Sequence, residues 1–446
     1  MIDINHSRPL AWTDESPTLP CTPEDRVLYS QAGLLREAVK TSGKQGGTMA
    51  EATQSLTVKA EETLVTILNP VTRQPVGRVP CHTPEDVVEA VARARQAQPA
   101  WAALPFRERA RVVIRFHDLI LDEREELFDV IQSETGKSRR DAFVELFAVV
   151  TEARYYAYHG ERFLRPRRAR SAIPLRDRTM VVYRPVGVVG VIGPWNFPFV
   201  LSAGDIIPAL LAGNGVVFKP ASLTPLTALW AAERFRRAGL PDSLLQVVTG
   251  PGSALGNALV DHADYVHFTG STAVGRKVAE RAARNLTPFS MELGGKNALI
   301  VLPDANLRHA AQVAIEGAFN NAGQVCLNFE RLYVDAKVYD PFLDILVSEV
   351  EKLRLGSGRT YECDMGSLIS QEQLDTVEAH INDAVAKGAQ VLSGGRRRPD
   401  LGPYFYEPTL LAGVTPDMTV HSEETFGPVL SVYKVESLEE AIRRAN

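Results

Sequence analysis

Cys326 ends the run Asn321-Ala322-Gly323-Gln324-Val325-Cys326, a lone thiol after a glycine-containing turn, where a predicted helix gives way to a predicted strand. A loop thiol can become a nucleophile once ionised, although a free cysteine is more often a small buried hydrophobe. Glu292 lies in Met291-Glu292-Leu293-Gly294-Gly295-Lys296, at the end of a predicted strand beside paired glycines that permit close backbone approach. It reads as a base or as a member of an ion pair. A third feature, Gly193-Pro194-Trp195-Asn196-Phe197-Pro198, ends a strand in a rigid turn carrying one amide side chain. Asn196 can donate a hydrogen bond to an oxyanion.

These three groups need a frame, and the chain's periodicity suggests one. Short Val- and Ile-rich runs at 186–192, 215–218, 244–248 and 265–268 alternate with helix-length segments. Strands so spaced require right-handed crossovers and a doubly wound parallel sheet, with ligands outside the carboxyl ends of its strands. The alternation resumes with strands at 298–302 and 331–335, helices at 307–320, 339–353 and 371–387, strands near Val391 and Ser431, and a last helix from Leu438. This predicts a second α/β domain. Upstream, a strand at 65–68 precedes a helix opened by Thr83-Pro84-Glu85 and running to about Gln96, followed by helices over 106–121 and 142–159. A strand at 179–183 after a turn-rich stretch suggests a protruding hairpin. A polar, poorly periodic N-terminal extension of low order is expected over 1–62.

Several classes are excluded by composition. A formal net charge of −5 provides no basic footprint for nucleic acid. Arginines 162, 165, 167, 168, 170, 176 and 178 are interrupted by Glu161 and Asp177 and read as a solvated edge or hairpin. Cys21, Cys81, Cys326 and Cys363 are far apart, without a C-x-x-C pair, so neither a metal knuckle nor a disulfide framework is expected. With no basic leader and no apolar run of the roughly 18 residues that a membrane span needs, the chain is expected to be soluble and cytoplasmic. Thr135-Gly136-Lys137-Ser138 lacks the glycine that a P-loop requires at position 131, where Ile131 stands, and reads as a helix-ending glycine with a loop.

The motifs around Asn196, Glu292 and Cys326, in this order and spacing, resemble the aldehyde dehydrogenase superfamily. So do Lys219-Pro220, Phe268-Thr269-Gly270-Ser271-Thr272 and Glu423-Glu424-Thr425-Phe426-Gly427-Pro428, and the resemblance runs from about Thr63 to Asn446. It implies a Rossmann-like cofactor-binding domain over 63–166 and 186–294, an oligomerisation hairpin over 167–185 and a catalytic domain over 295–446, with the active site between the two larger domains. On this reading Cys326 attacks an aldehyde carbonyl, and Asn196 with the Cys326 N–H holds the oxyanion. After hydride leaves for the nicotinamide, Glu292 activates water against the thioester, giving a carboxylic acid. Relatives that pass the acyl group to coenzyme A or phosphate do not need a carboxylate at the Glu292 position, so release by hydrolysis is expected.

Cofactor contacts are expected from Ser271 and nearby N–H groups at a helix start, where a simple N-cap is the alternative, with Gly275 allowing close helix packing. Lys219 can reach the adenosine ribose. The resemblance assigns Glu424 and Phe426 to the nicotinamide ribose, and Trp195, Gly250, Gly270 and Leu293 complete the expected set. Ser222 stands where many NAD-preferring relatives carry a glutamate that repels a 2′-phosphate, so NADP is expected to be preferred, with NAD as the alternative. Subfamily features, Lys219-Pro220-Ala221-Ser222 and Met365-Gly366-Ser367-Leu368-Ile369, are similar to NADP-dependent succinate-semialdehyde dehydrogenases. Those enzymes have arginines at the positions matching Gly204 and Asn320. Here another cation serves, or the substrate is a less polar aldehyde. Family members continue some tens of residues past the point matching Asn446, so a missing closing strand is expected. A homo-oligomer is expected for full-length members, and a truncated relative that binds dinucleotide without turnover is the alternative function.

Overall fold

The computed structural model describes residues 64–173 and 176–446. The extension expected over 1–62 lies outside them. The described chain opens with an antiparallel pair, β1 (Leu64–Leu68) and β2 (Pro75–Pro80), joined by a turn in which Asn69 Oδ1 accepts from Val71 and Thr72 N–H. Helix α1 (Pro84–Ala103) begins at a reciprocal capping box, Thr83 with Asp86. It continues through Pro99, seven residues past the expected end, because Trp101 is buried and its indole N–H donates to Leu210 O at 2.8 Å. Helices α2 (Phe106–Asp122), α3 (Arg124–Thr135) and α4 (Arg139–Leu164) follow. The sequence reading did not identify α3, since a single residue, Glu123, separates it from α2 without a Gly or Pro to mark the break. Gly136 ends α3 in the left-handed conformation (φ 71°), as expected of a helix-ending glycine.

Strands β3 (Arg167–Ala169) and β4 (Thr179–Val181) form the expected hairpin, shorter than the 179–183 strand predicted. Then come β5 (Val188–Ile192), α5 (Asp205–Leu211), β6 (Gly215–Lys219), α6 (Pro225–Arg237), β7 (Leu245–Val247), α7 (Gly252–His262), β8 (Tyr265–Thr269), α8 (Thr272–Arg284) and β9 (Phe289–Glu292). The strands pair in the order β7-β6-β5-β8-β9, and every pairing is parallel. All residues of β5 and β6 are buried, as a sheet covered by helices on both faces demands. The order reverses direction at β5, so a crevice opens at the carboxyl ends there.

The second half comprises β10 (Asn297–Val301), α9 (Leu307–Phe319), a 3-10 turn (Asn320–Gly323), β11 (Phe329–Asp335), α10 (Tyr339–Val350), α11 (Gln371–Ala386), β12 (Gln390–Ser393), β13 (Thr409–Ala412), a single-turn α12 (Thr419–Ser422), β14 (Val429–Val435) and α13 (Leu438–Ala445). Its sheet runs β10-β11-β14-β13-β12, with only β12 antiparallel. It has its own core, centred on Leu332, Tyr333, Val334, Leu410 and Leu430. The first half is packed around Phe116, Phe128, Phe199 and Phe235.

Within that first core, the Phe116 and Phe235 rings stack with centroids 3.7 Å apart. Both are fully buried. Phe235→Ala is expected to cost about 3–5 kcal/mol, read as a lower urea midpoint with an unchanged slope.

Candidate active site

Parallel topology gathers the predicted residues on one edge. Trp195 and Asn196 follow β5, Ser222 follows β6, Gly250 follows β7, Gly270 and Ser271 follow β8, and Lys219 and Glu292 are the last residues of β6 and β9. Cys326 comes from the other half, between the 3-10 turn and β11.

The thiol loop is held in an unusual backbone conformation. Asn321, Ala322 and Gly323 have φ of 51°, 55° and 71°. For the two non-glycine residues this costs about 1–3 kcal/mol each. Hydrogen bonds from several elements fix it: Asn321 N donates to Asp141 Oδ1 at 3.2 Å, and Asn321 Nδ2 donates to Asn196 O at 3.0 Å. Gln324 Nε2 donates to Asn321 O at 2.9 Å, Gln324 Oε1 accepts from Ile369 N at 2.9 Å, and Asn297 Nδ2 donates to Cys326 O at 2.8 Å. Gly323 permits the closest contact. A Cβ there would stand 2.0 Å from Gly427 O.

Asn196 meets this loop from β5's side. Its Nδ2 donates to Gln324 O at 3.0 Å, and an amide has a second N–H available for an oxyanion. The Asn196 carbonyl is anchored by Lys137, whose Nζ lies 2.7 Å from it, 2.6 Å from Glu145 Oε1 and 4.3 Å from the centroid of the Phe197 ring. Glu145 Oε2 in turn accepts from Phe199 N and Val200 N at 2.8 and 3.2 Å. Lys137 and Glu145 are completely buried, so their charges are compensated by each other and by these bonds.

Burial pushes the Cys326 thiol above its ordinary range. The N–H groups of Cys326 and Leu327 pull it down, while the carboxylates of Glu424 and Glu292 raise it further. At rest the sulfur therefore keeps its proton near neutrality. Glu424 is itself raised by burial, against the N–H of Gly295, which donates to its Oε1 at 3.3 Å. The loop bearing Glu424 is fixed by Glu330, which accepts from Thr425 N and Phe426 N at 2.9 Å and pairs with Lys296. Phe426 has φ 51° and meets the Trp195 ring edge-on at 5.4 Å.

The remaining predicted cofactor residues make contacts in two places, around Lys219 and at the start of α8. Lys219 Nζ is buried and donates to Pro220 O at 2.7 Å, and burial lowers its pKa to about 8. A Cβ on Gly252, at the start of α7, would lie 3.7 Å from that ammonium. Ser222 Oγ donates to Gly250 O at 3.0 Å. Ser271 is an N-cap, its Oγ accepting from Val274 N, and Gly275 gives Leu293 room: a Cβ there would be 2.6 Å from Leu293 Cδ2. Sequence reasoning missed Lys137, Asp141, Glu145, Asn297 and Glu330. Lys137 was in view as part of a non-functional phosphate motif, and an acid inside a long helix, such as Glu145, normally reads as solvated.

The aldehyde dehydrogenase family description matches residues 57–446. The chain is 49% identical over 375 residues to a Mycobacterium ulcerans protein named "Putative succinate-semialdehyde dehydrogenase [NADP(+)] 2", a match covering 84% of this chain and 72% of that one. The mitochondrial succinate-semialdehyde dehydrogenase of Oryza sativa is 36% identical over 420 residues, 93% of this chain and 76% of that one. Among solved structures, succinate-semialdehyde dehydrogenase from Burkholderia pseudomallei superposes with a TM-score of 0.83 at 36% identity, covering 86% of this chain and 80% of that one. The chain belongs to the aldehyde dehydrogenase family, and its fold is the α/β fold of those enzymes.

Breaking a buried pair is costly, so Lys137→Met should lose about 3–5 kcal/mol of stability. Lys137→Met/Glu145→Leu should recover only part of that loss, since the Phe199 and Val200 amides then lose their acceptor. Neither variant should recover kcat, because in both the Asn196 carbonyl keeps only the Asn321 amide of its two donors. Thermal melts beside steady-state kinetics check the split.

Proposed function

We propose that this chain oxidises succinate semialdehyde to succinate with NADP, through a thioester on Cys326. The observation that carries the catalytic reading is the Asn196 amide held 3.0 Å from Gln324 O, two residues from a thiol whose ionisation two carboxylates oppose. The names of the relatives support the substrate and the cofactor. Neither Gly204 nor Asn320 offers a cation for the far carboxylate, so that end of the substrate must find another partner.

The cofactor fits the donors present. Lys219 is a buried ammonium with one hydrogen bond, to the carbonyl of its neighbour, which leaves two N–H protons for an anion or a ribose hydroxyl. Ser222 adds no negative charge beside it to repel a 2′-phosphate. Bound NADP supplies acceptance of a hydride. The protein's own residues do the rest. As the carbon–sulfur bond forms, the Cys326 proton is given up to water, and the oxyanion is met by the free Asn196 N–H and the Cys326 N–H. Each such donor is worth about 2.7–4 kcal/mol in the barrier. Once hydride has left, Glu292 takes a proton from water, which attacks the thioester; the carbon–sulfur bond breaks, the acid is freed, and the departing Cys326 thiolate takes a proton back. We further propose a cytoplasmic homo-oligomer that uses the β3–β4 hairpin, with the domain limits stated above.

Two measurements test this. Glu292→Gln should retain a burst of about one reduced cofactor per site and then turn over about 10²–10⁴-fold more slowly, whereas Cys326→Ala should have no burst. Cofactor binding with no turnover on any aldehyde would overturn the proposal. The second test is pH. Lys219 is charged below about 8 and loses its proton above it. Since kcat/KM reports the free enzyme, the preference for NADP over NAD should decline between pH 7 and 9.5. A constant ratio would remove Lys219 from the 2′-phosphate site.

A further inference from the structure

The loop after β7 carries Gly250 and Gly252, and both lie against the residues assigned above to the 2′-phosphate end of the cofactor. Ser222 Oγ donates to Gly250 O at 3.0 Å, and a Cβ on Gly252 would stand 3.7 Å from Lys219 Nζ. What fixes the loop comes from its other side, the junction between β2 and α1. His82 N donates to Thr249 O at 2.9 Å, Thr249 N donates to His82 Nδ1 at 3.0 Å, and the Thr249 hydroxyl donates to Pro80 O. Gly250 follows at φ 143°, where a Cβ would be 3.5 Å from His82 O and 3.6 Å from Cys81 Sγ. Thr249 is buried, and its N–H has no acceptor other than Nδ1 among the described residues. The Thr249 carbonyl already receives the His82 N–H, and the Thr249 hydroxyl proton is used on Pro80. Nδ1, although 3.1 Å from Thr249 Oγ1, is therefore the unprotonated acceptor, and the ring proton is on Nε2.

We infer that His82 is a positioning residue for cofactor selectivity: its Nδ1 latches the Thr249–Gly252 loop clear of Lys219, so that a ribose 2′-phosphate can reach the ammonium. This rests on the assignment of Lys219 and Ser222 to that phosphate. A buried N–H deprived of its acceptor is costly, so without the imidazole the loop must move until Thr249 N finds another partner or water. Movement toward Lys219 closes the space that Gly252 leaves beside Nζ, and movement away withdraws the Gly250 carbonyl from Ser222. Either displacement falls on the 2′-phosphate, which NAD lacks. The catalytic groups are elsewhere. The loop springs from β7, the edge strand two places from β5, and among the described residues it makes no hydrogen bond to Asn196, Glu292, Cys326 or Glu424.

Calorimetric binding of adenosine 2′,5′-bisphosphate and adenosine 5′-phosphate to the full chain reads this without turnover. Wild type should bind the bisphosphate about 10-fold or more tightly than the monophosphate, as expected of a charge-assisted contact. In His82→Ala the bisphosphate should bind about 5-fold or more weakly than in wild type, while the monophosphate changes by less than about 2-fold. KM for NADP should rise in step, with kcat at saturating NADP and KM for the aldehyde held within about 2-fold. His82→Asn should restore wild-type binding, because its Oδ1 is an acceptor the same number of bonds from the backbone as Nδ1. His82→Gln, whose acceptor is one bond further out, carries the same expectation as alanine and replaces it should that variant not fold. Equal losses for the two nucleotides would mean a merely structural loop and overturn the inference, as would unchanged bisphosphate affinity or an asparagine variant no better than alanine. If wild type bound both nucleotides alike, the assignment of Lys219 and Ser222 would fail, and the latch with it. If wild type and His82→Ala discriminated equally well, that assignment would stand and the latch alone would fail.

Discussion

A strained three-residue turn governs this molecule. Asn321 through Gly323 run in left-handed conformation, which places Cys326 where a regular helix end would not. About 1–3 kcal/mol per non-glycine residue must be offset by neighbours, and those neighbours come from everywhere: Asp141 on α4, Asn196 after β5, Asn297 on β10 and Ile369 before α11. The turn therefore exists only when both sheets are in place. That dependence is how two separate cores are made to serve one sulfur atom.

The second determinant is charge without water. Lys137 and Glu145 are fully buried, and each uses its partner to reach a backbone: Lys137 the Asn196 carbonyl, Glu145 the amides of Phe199 and Val200. Lys296 and Glu330 repeat the arrangement under Thr425 and Phe426. In both cases an ion pair fixes a loop that has no regular hydrogen bonding of its own, and a loop fixed this way has one geometry.

Legibility in the sequence followed from how local each signal was. Strands β5 and β6 were readable because burial on both faces leaves an unbroken apolar run, and α1 because Thr83-Pro84-Glu85 marks its start within three residues. Cys326, Glu292 and Asn196 stood out because each sits in a glycine- or proline-marked turn. Helix α3 and the end of α1 escaped because their limits are set by distant packing, Trp101 on Leu210 in one case. Lys137 and Glu145 escaped for a related reason: their roles are defined by a carbonyl 59 residues from Lys137 and by amides 54 and 55 residues from Glu145, in a segment that only the folded sheet brings near. Glycines such as Gly323 were read as turn formers, whereas the contact with Gly427 O is what excludes a side chain there.

The resting thiol carries a last consequence. Oxidants attack the thiolate, and susceptibility follows thiolate character and exposure. Cys326 is half-buried, and burial with two carboxylates holds its proton in place. The burial that, on the proposed reading, makes this sulfur a reluctant nucleophile at rest also lowers its reactivity toward peroxide.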